Sequence, residues 1–309
     1  MSVLTLDDAE IYFEEYGTGY PVLLFAPGGM RSRLEMWPPP PDGPPRPWVD
    51  WTEALADRWH VVALDQRNAG RSTGAIAADH GWHTYAADQL ALLDHLGIER
   101  CHVLGGCIGV SFALKLCEIA PERINAAVLQ NPIGLNPDHP TVFPDGFSDW
   151  AEALKAARPD LDAAALTAFS GNLWRDEFVF SVSRAMVKEC QVPALVLPGN
   201  DKPHPAVIGA EVAELLPAAV LLRLLTRRPV VYDVHEDVPA AIRGRRWLPL
   251  PLRPLIAGLY RFAEHLSLPF IAGLTLADHA YAKYYRRRRF EIILNYPLMT
   301  YADLYRPPE

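Results

Sequence analysis

The chain has 309 residues, half of them apolar, and 29 Lys and Arg stand against 37 Asp and Glu for a formal net charge of −8. That length and apolar share suffice for one large or two modest globular domains with a sizeable core. The acidic balance argues against nucleic acid as a partner, because binding phosphates calls for a basic face.

The four cysteines, Cys101, Cys107, Cys117 and Cys190, show neither CxxC spacing nor a dense framework. This argues against a zinc site and a disulfide scaffold and points to a reducing compartment. Met1 to Glu10 carries no basic segment followed by an apolar core, so the expected location is the cytoplasm.

Residues 3–15 alternate between apolar and polar, as an antiparallel hairpin does, and Gly17-Thr18-Gly19 turns into the apolar run Pro21 to Phe25, a buried strand. Ala26-Pro27-Gly28-Gly29-Met30 follows. Glycines just past a buried strand let the backbone approach a ligand, so the N–H groups of Gly28 and Gly29 are candidate oxyanion donors. A proline-rich stretch from Trp37 to Trp48 can be neither helix nor central strand and reads as a surface excursion.

Trp59 to Leu64 is the next buried strand, leading into the polar turn Asp65 to Ser72, where Asp65 and Arg67 read as braces rather than chemical groups. Residues 84–97 carry helical spacing that stops at Gly97. The strand Cys101–Leu104 then meets Gly105-Gly106-Cys107-Ile108-Gly109 and a helical pattern. That is a nucleophile elbow with cysteine where serine is usual. The helix beginning at the nucleophile favours thiolate through its dipole, and the Ile108 N–H points at a developing oxyanion.

Ala126 to Gln130 is the following strand. Asn131 to Gln191 switches to helices rich in Ala and aromatics, suiting an inserted helical cap whose aromatics are mostly core. Pro193 to Leu197 is again a short buried strand. Asp201 sits just past its end, where a carboxylate can orient a histidine or simply close an Asx turn before Pro203. The rhythm predicts an α/β fold: a mostly parallel sheet with helices on both faces and the site at the carboxyl ends of the strands.

Placed in this order, the Pro27-Gly28-Gly29 loop, the Asp65–Ser72 turn, the Gly105–Gly109 elbow and Asp201 make residues 1–215 resemble the α/β-hydrolase family, with a cap over about 131–191. The cysteine nucleophile is shared with a minority of that family such as the dienelactone hydrolases. The family then requires another strand, a loop bearing histidine and a closing helix, and this chain continues differently. From Leu215 through Val230 to Asp237, Arg246 to Arg253, the apolar helix through Ala263, and Asn295-Tyr296-Pro297, residues 216–309 resemble part of the N-terminal domain of a glycosyltransferase with two Rossmann-like domains. The chain therefore reads as a fusion of two incomplete domains.

The expected base follows the strand after Asp201. Val230 to Val234 is an apolar strand that places His235 at its carboxyl end, giving the order Cys107, Asp201, His235. His204 shares the Asp201 loop, where it shapes the turn; it is the alternative base, and a third outcome is that no base survives. Leu248–Leu276 is too interrupted by charge and proline to span a membrane. Arg286 to Arg289 beside Tyr284 and Tyr285 is a candidate for peripheral contact with anionic lipid headgroups, against the plainer reading of a solvated helix face.

The sequence thus predicts hydrolysis of an ester, thioester or lactone in a small acyl substrate through Cys107, with Gly28, Gly29 and Ile108 as oxyanion donors and weak or absent activity if no base is present. The rival readings are a glycosyltransferase-related protein and a non-catalytic binding protein of hydrolase fold. No metal and no organic cofactor is implied, since neither a ligand cluster nor a GxGxxG after a strand occurs.

Overall fold

A computed structural model describes residues 2–38, 49–136, 138–174, 178–199, 201–213, 231–234, 243, 249–267, 273–276, 283–285 and 291–292. The chain divides into two compact units, Met1–Ala213 and Glu214–Glu309.

In the first unit the hairpin is β1 (Ser2–Thr5) and β2 (Ala9–Tyr16), paired antiparallel. The apolar runs become β3 (Tyr20–Phe25), β4 (Trp59–Leu64), β6 (Cys101–Gly106), β7 (Ile124–Gln130) and β8 (Ala194–Leu197), with a two-residue β5 (Thr73–Gly74) hydrogen-bonded to β2. The sheet order is β1-β2-β4-β3-β6-β7-β8. Along the sheet the pairings β4-β3, β3-β6, β6-β7 and β7-β8 are parallel, whereas β2 joins both β4 and β5 antiparallel. A mostly parallel mixed sheet is what the run of apolar strands predicts, because strands covered on both faces need no polar alternation. β3 shows this residue by residue: Leu23, Leu24 and Phe25 are all completely buried. Leu24 joins one cluster with Tyr12, Trp37, Val61, Ala63 and Leu104, while Phe25 on the opposite face meets Phe112 edge to face. Burying each such side chain contributes about 1.5–3 kcal/mol.

The helices are short α1 (Trp51–Ala54), α2 (Trp82–His95) and α3 (Ile108–Ile119), followed by α4 (Val142–Ala157), α5 (Ala163–Leu173), α6 (Arg184–Glu189) and α7 (Ala206–Ala213). α3 packs on β3, β6 and β7, and α2 lies against α3. Phe112 at their junction touches Trp82 and Tyr85.

α4, α5 and α6 make up the expected helical insertion between β7 and β8. Its aromatics are core: Phe147, Trp150 and Phe169 are buried together in tilted and edge contacts. Hydrogen bonds tie the insertion down, from Trp82 Nε1 to the Leu173 carbonyl (3.0 Å), from Trp150 Nε1 to the Asn68 carbonyl (3.3 Å) and from Ser111 Oγ to the Val179 carbonyl (2.9 Å).

The Asp65–Ser72 turn is braced as its sequence implied. Asp65 is fully buried and accepts from the backbone N–H groups of Leu34 and Arg71, both at 2.9 Å. Arg67 donates to Asp88 and to Asp8, with its shortest contact to each at 2.7 Å.

In the second unit the described residues include three parallel strands, β9 (Val231–Val234), β10 (Gly273–Leu276) and β11 (Glu291–Ile292), in the order β11-β10-β9. α8 (Leu252–Ser267) lies between β9 and β10 in sequence. Among the described residues no helix is long and apolar enough to cross a membrane. The proline-rich stretch from Pro39, His235 and Arg286–Arg289 lie outside the described residues.

Candidate active site

The elbow is built by crowding. Cys107 sits between β6 and α3 at φ 58° and ψ −120°, in the left-handed half of the map that L-residues rarely enter. Two glycines make the turn sterically feasible. A Cβ on Gly105 would lie 2.2 Å from the Gly109 carbonyl oxygen, and one on Gly109 would lie 2.1 Å from the Phe25 carbonyl oxygen. The strand therefore enters the helix with no room for a side chain on either flank, and the thiol of Cys107 is lifted out, half-buried. Its own N–H bonds the Gln130 carbonyl at 2.9 Å, fixing the turn to the end of β7. As first residue of α3, Ile108 has an N–H with no intrahelical acceptor.

The second donor loop emerges alongside. β3 and β6 are paired so that Phe25 lies opposite Gly105, and the chain leaves β3 into Ala26–Met30 at the same edge as the elbow. Gly28 takes φ 119° and Gly29 φ 61°, conformations that favour glycine. The loop is pinned by Ser32 Oγ donating to the Ala26 carbonyl at 2.7 Å. Pro27 and Trp37 both pack against the Gly106 position, which brings the glycine loop and the nucleophile turn to one side of the sheet end.

Beyond β8, Asp201 and His204 close a tight turn. Their backbones exchange hydrogen bonds, Asp201 N–H to the His204 carbonyl (3.2 Å) and His204 N–H to the Asp201 carbonyl (3.1 Å). The Asp201 carboxylate also reaches Nδ1 of the His204 ring at 2.6 Å. Gly199 packs against the same residue's Cβ, and Asn136 Nδ2 donates to the Lys202 carbonyl at 3.0 Å, holding the loop to the start of the insertion. Nε2 of His204 is buried and bonds no acceptor or donor of ideal geometry among the described residues.

The Cys107 thiol lies close enough to act on the ring's ionisation. Burial alone would lower the His204 pKa, but the neighbouring Cys107 thiol, followed by the charge and hydrogen bond of Asp201, leaves it above the ordinary imidazole value.

The fold thus gathers Cys107, His204 and Asp201 at one end of the sheet. Sequence reasoning gave His204 chiefly the turn-shaping part. The signal available was the Asp-x-x-His spacing, which lets one short turn both seat the carboxylate and return the ring to it. Among the described residues no cluster of His, Cys, Asp and Glu could hold a metal ion. A cavity of about 510 Å³ lies elsewhere, between Trp82, Lys115, Asn172 and Phe180, and Cys107 does not line it.

Comparison with known proteins places this arrangement. The model of the alpha/beta hydrolase fold family matches residues 21–196. RutD of Pseudomonas savastanoi pv. phaseolicola, a protein named as a candidate carbamate hydrolase, is 30% identical over 210 residues, covering 59% of this chain and 81% of its own. The protein of the same name from Pseudomonas syringae pv. syringae is 37% identical over 89 residues, 29% of this chain and 34% of its own. Among solved structures, a hydrolase from Pseudomonas aeruginosa superposes with a TM-score of 0.50 at 22% identity, over 69% of this chain and 85% of its own.

Proposed function

The chain belongs to the α/β-hydrolase family, and from that premise we propose that it cleaves an ester, thioester or lactone through Cys107. In the first step the Cys107 thiol gives its proton to His204 and its sulfur bonds the carbonyl carbon, while the carbonyl electrons move onto oxygen. The N–H groups of Ile108 and of Gly28 and Gly29 are the donors for that oxyanion. Collapse breaks the bond to the leaving group, which takes its proton from the His204 imidazolium. Neutral His204 then draws a proton from water, whose oxygen bonds the acyl carbon; the C–S bond breaks, and the proton on His204 returns to the Cys107 sulfur. Asp201, bonded to Nδ1, holds the ring's tautomer and orientation.

One observation carries this reading: the half-buried His204 ring has the Cys107 thiol near enough to act on its ionisation and is held by a carboxylate at 2.6 Å on Nδ1. The RutD relatives add carbamates to the acyl classes worth testing, since that substrate class belongs to their names. The alternative base, His235, is separated by experiment. With p-nitrophenyl acetate as substrate, mass spectrometry should find an acetyl group on Cys107, and Cys107→Ala should abolish turnover. His204→Ala should slow it by about 10²–10⁴-fold while His235→Ala leaves it near the parent rate. The reverse pattern transfers the role to His235. No acylation of Cys107 by any acyl donor would favour the non-catalytic binding protein instead.

For residues 216–309, the glycosyltransferase-like reading draws support from the parallel pairing of β9, β10 and β11, with α8 between the first two in sequence. A calorimetric titration with uridine diphosphate sugars decides it: heat of binding favours the transferase-related reading, and none leaves the hydrolase site as the protein's chemistry.

A further inference from the structure

Two cysteines that the hydrolase chemistry does not use are brought together at the opposite end of the same sheet. Cys117 lies on the last turns of α3, ten residues and therefore about 15 Å along the helix from Cys107. Cys190 caps α6, its N–H bonded to the Val187 carbonyl at 3.4 Å. The chain then enters β8 through Pro193, whose carbonyl accepts from Ala127 N–H at 2.9 Å, and Ala127 pairs with Ala194. α3 ends just before β7 and α6 just before β8, and these strands are parallel neighbours. The two cysteines therefore sit at the starts of neighbouring strands, near enough that each thiol acts on the other's ionisation.

We propose that Cys190 is a site of oxidation by hydroperoxides and that Cys117 resolves it, closing a reversible disulfide between the nucleophile helix and the segment entering β8. In the first step the Cys190 thiolate sulfur bonds the terminal peroxide oxygen, the O–O bond breaks, and the remaining oxygen departs as hydroxide from hydrogen peroxide or as alkoxide from an organic hydroperoxide. Sulfur is oxidised by two electrons to the sulfenic acid and the peroxide is reduced. In the second step the Cys117 sulfur, giving up its proton, bonds the Cys190 sulfur as the S–O bond breaks, and the oxygen leaves as water. Closing the bridge brings the two sulfurs to an S–S bond of about 2 Å.

The environment divides the roles. The hydrogen bond from Cys117 outweighs burial and pulls the Cys190 thiol down to about 7, with the Val192 backbone assisting. The same contact, then burial, pushes Cys117 well up, so it is the member that keeps its proton. Cys190 is half-buried and reachable, whereas Cys117 is 4% exposed. Cys101 is a bystander: it is fully buried, and burial pushes its thiol up to about 12. The insertion α4–α6 lies between the two cysteines in sequence, so the bridge would close a loop around the cap without involving Cys107 or its base.

The test uses the full reduced chain carrying Cys107→Ser, which removes the competing nucleophile, treated with hydrogen peroxide and digested for mass spectrometry. The expected product is a Cys117–Cys190 bridged peptide that dithiothreitol releases. In Cys117→Ser the sulfenic acid on Cys190 should persist and be captured by dimedone. Alkylation of Cys190 by iodoacetamide at neutral pH should also slow about fivefold in that variant, because the loss of thiolate outweighs the higher nucleophilicity of a more basic thiol. Cys190 remaining a thiol while Cys101 oxidises would overturn the proposal. So would oxidation of Cys190 to the sulfinic acid with Cys117 left free. If either variant fails to fold, the same bridged peptide is sought in the unsubstituted protein, where its presence supports the proposal and its absence overturns it.

Discussion

His204 carries a pH signature that distinguishes an engaged ring from an incidental one. Its native pKa stands above the ordinary imidazole value because contact with Cys107 and Asp201 outweighs the effect of burial. A proton bound more tightly in the native state stabilises it fully below the unfolded-state pKa, near 6.5, and that contribution disappears as pH rises through the native pKa. The melting temperature of the parent minus that of His204→Gln should therefore be largest in mild acid and shrink as the pH rises past neutrality. A difference that widens with pH would mean that the ring is held neutral and is not paired with Cys107. The sequence made Cys107 legible because tight turns require glycine at both flanks, and it made Asp201 legible because a carboxylate follows a short apolar run. It named His204 as an alternative base but could not show that its ring folds back onto Asp201 near Cys107. Whether a ring three residues from a carboxylate folds back onto it depends on backbone bonds within the turn, and whether it then meets a thiol 97 positions earlier depends on how β8 is seated beside β7.

At the scale of the element, the β6–α3 elbow is the part of the fold with least slack. Gly105→Ala puts a methyl group 2.2 Å from the Gly109 carbonyl oxygen, and backbone on both sides must move to admit it. The expected cost is about 2–4 kcal/mol, within the range of overpacking and backbone-strain substitutions. Urea unfolding measures it, and under the proposed chemistry the variant's rate on p-nitrophenyl acetate should fall further than its stability, because the displacement disturbs the turn that presents Cys107. An unchanged midpoint with an intact rate would show a looser turn than the contacts describe. The buried strands were readable in advance since parallel strands covered on both faces are continuous apolar runs, as Tyr20–Phe25 and Trp59–Leu64 are. The two-residue β5 was not, because Thr73–Gly74 has no apolar run and is defined by its pairing with Ala9 and Glu10. The insertion was readable as helical, but not the bonds that fix it. Ser111 reaching Val179 and Trp82 reaching Leu173 join residues 68 and 91 positions apart, and no local pattern encodes them.

At the scale of the whole molecule, the two units have separate sets of internal contacts, and each has a sheet of its own. Units that hold their cores separately unfold as separate cooperative transitions unless a large apolar interface couples them. The tryptophans offer a direct way to see this. Trp37, Trp48, Trp51, Trp59, Trp82, Trp150 and Trp174 all precede Glu214, and Trp247 alone follows it. Intrinsic fluorescence thus reports almost entirely on the hydrolase unit, while far-ultraviolet circular dichroism reports the helices of both, α8 included. In a urea series the two signals should not superimpose: the dichroism should change in two steps, and the fluorescence should follow the hydrolase unit. Coincident single transitions would make the chain one cooperative body, and residues 214–309 would then be a structural completion of the hydrolase unit. That result would also bear on His235, because a segment that unfolds together with the sheet carrying Cys107 can deliver a base to it. Two independent transitions leave His204 as the only one of the two candidate bases built into the cooperative unit of the nucleophile.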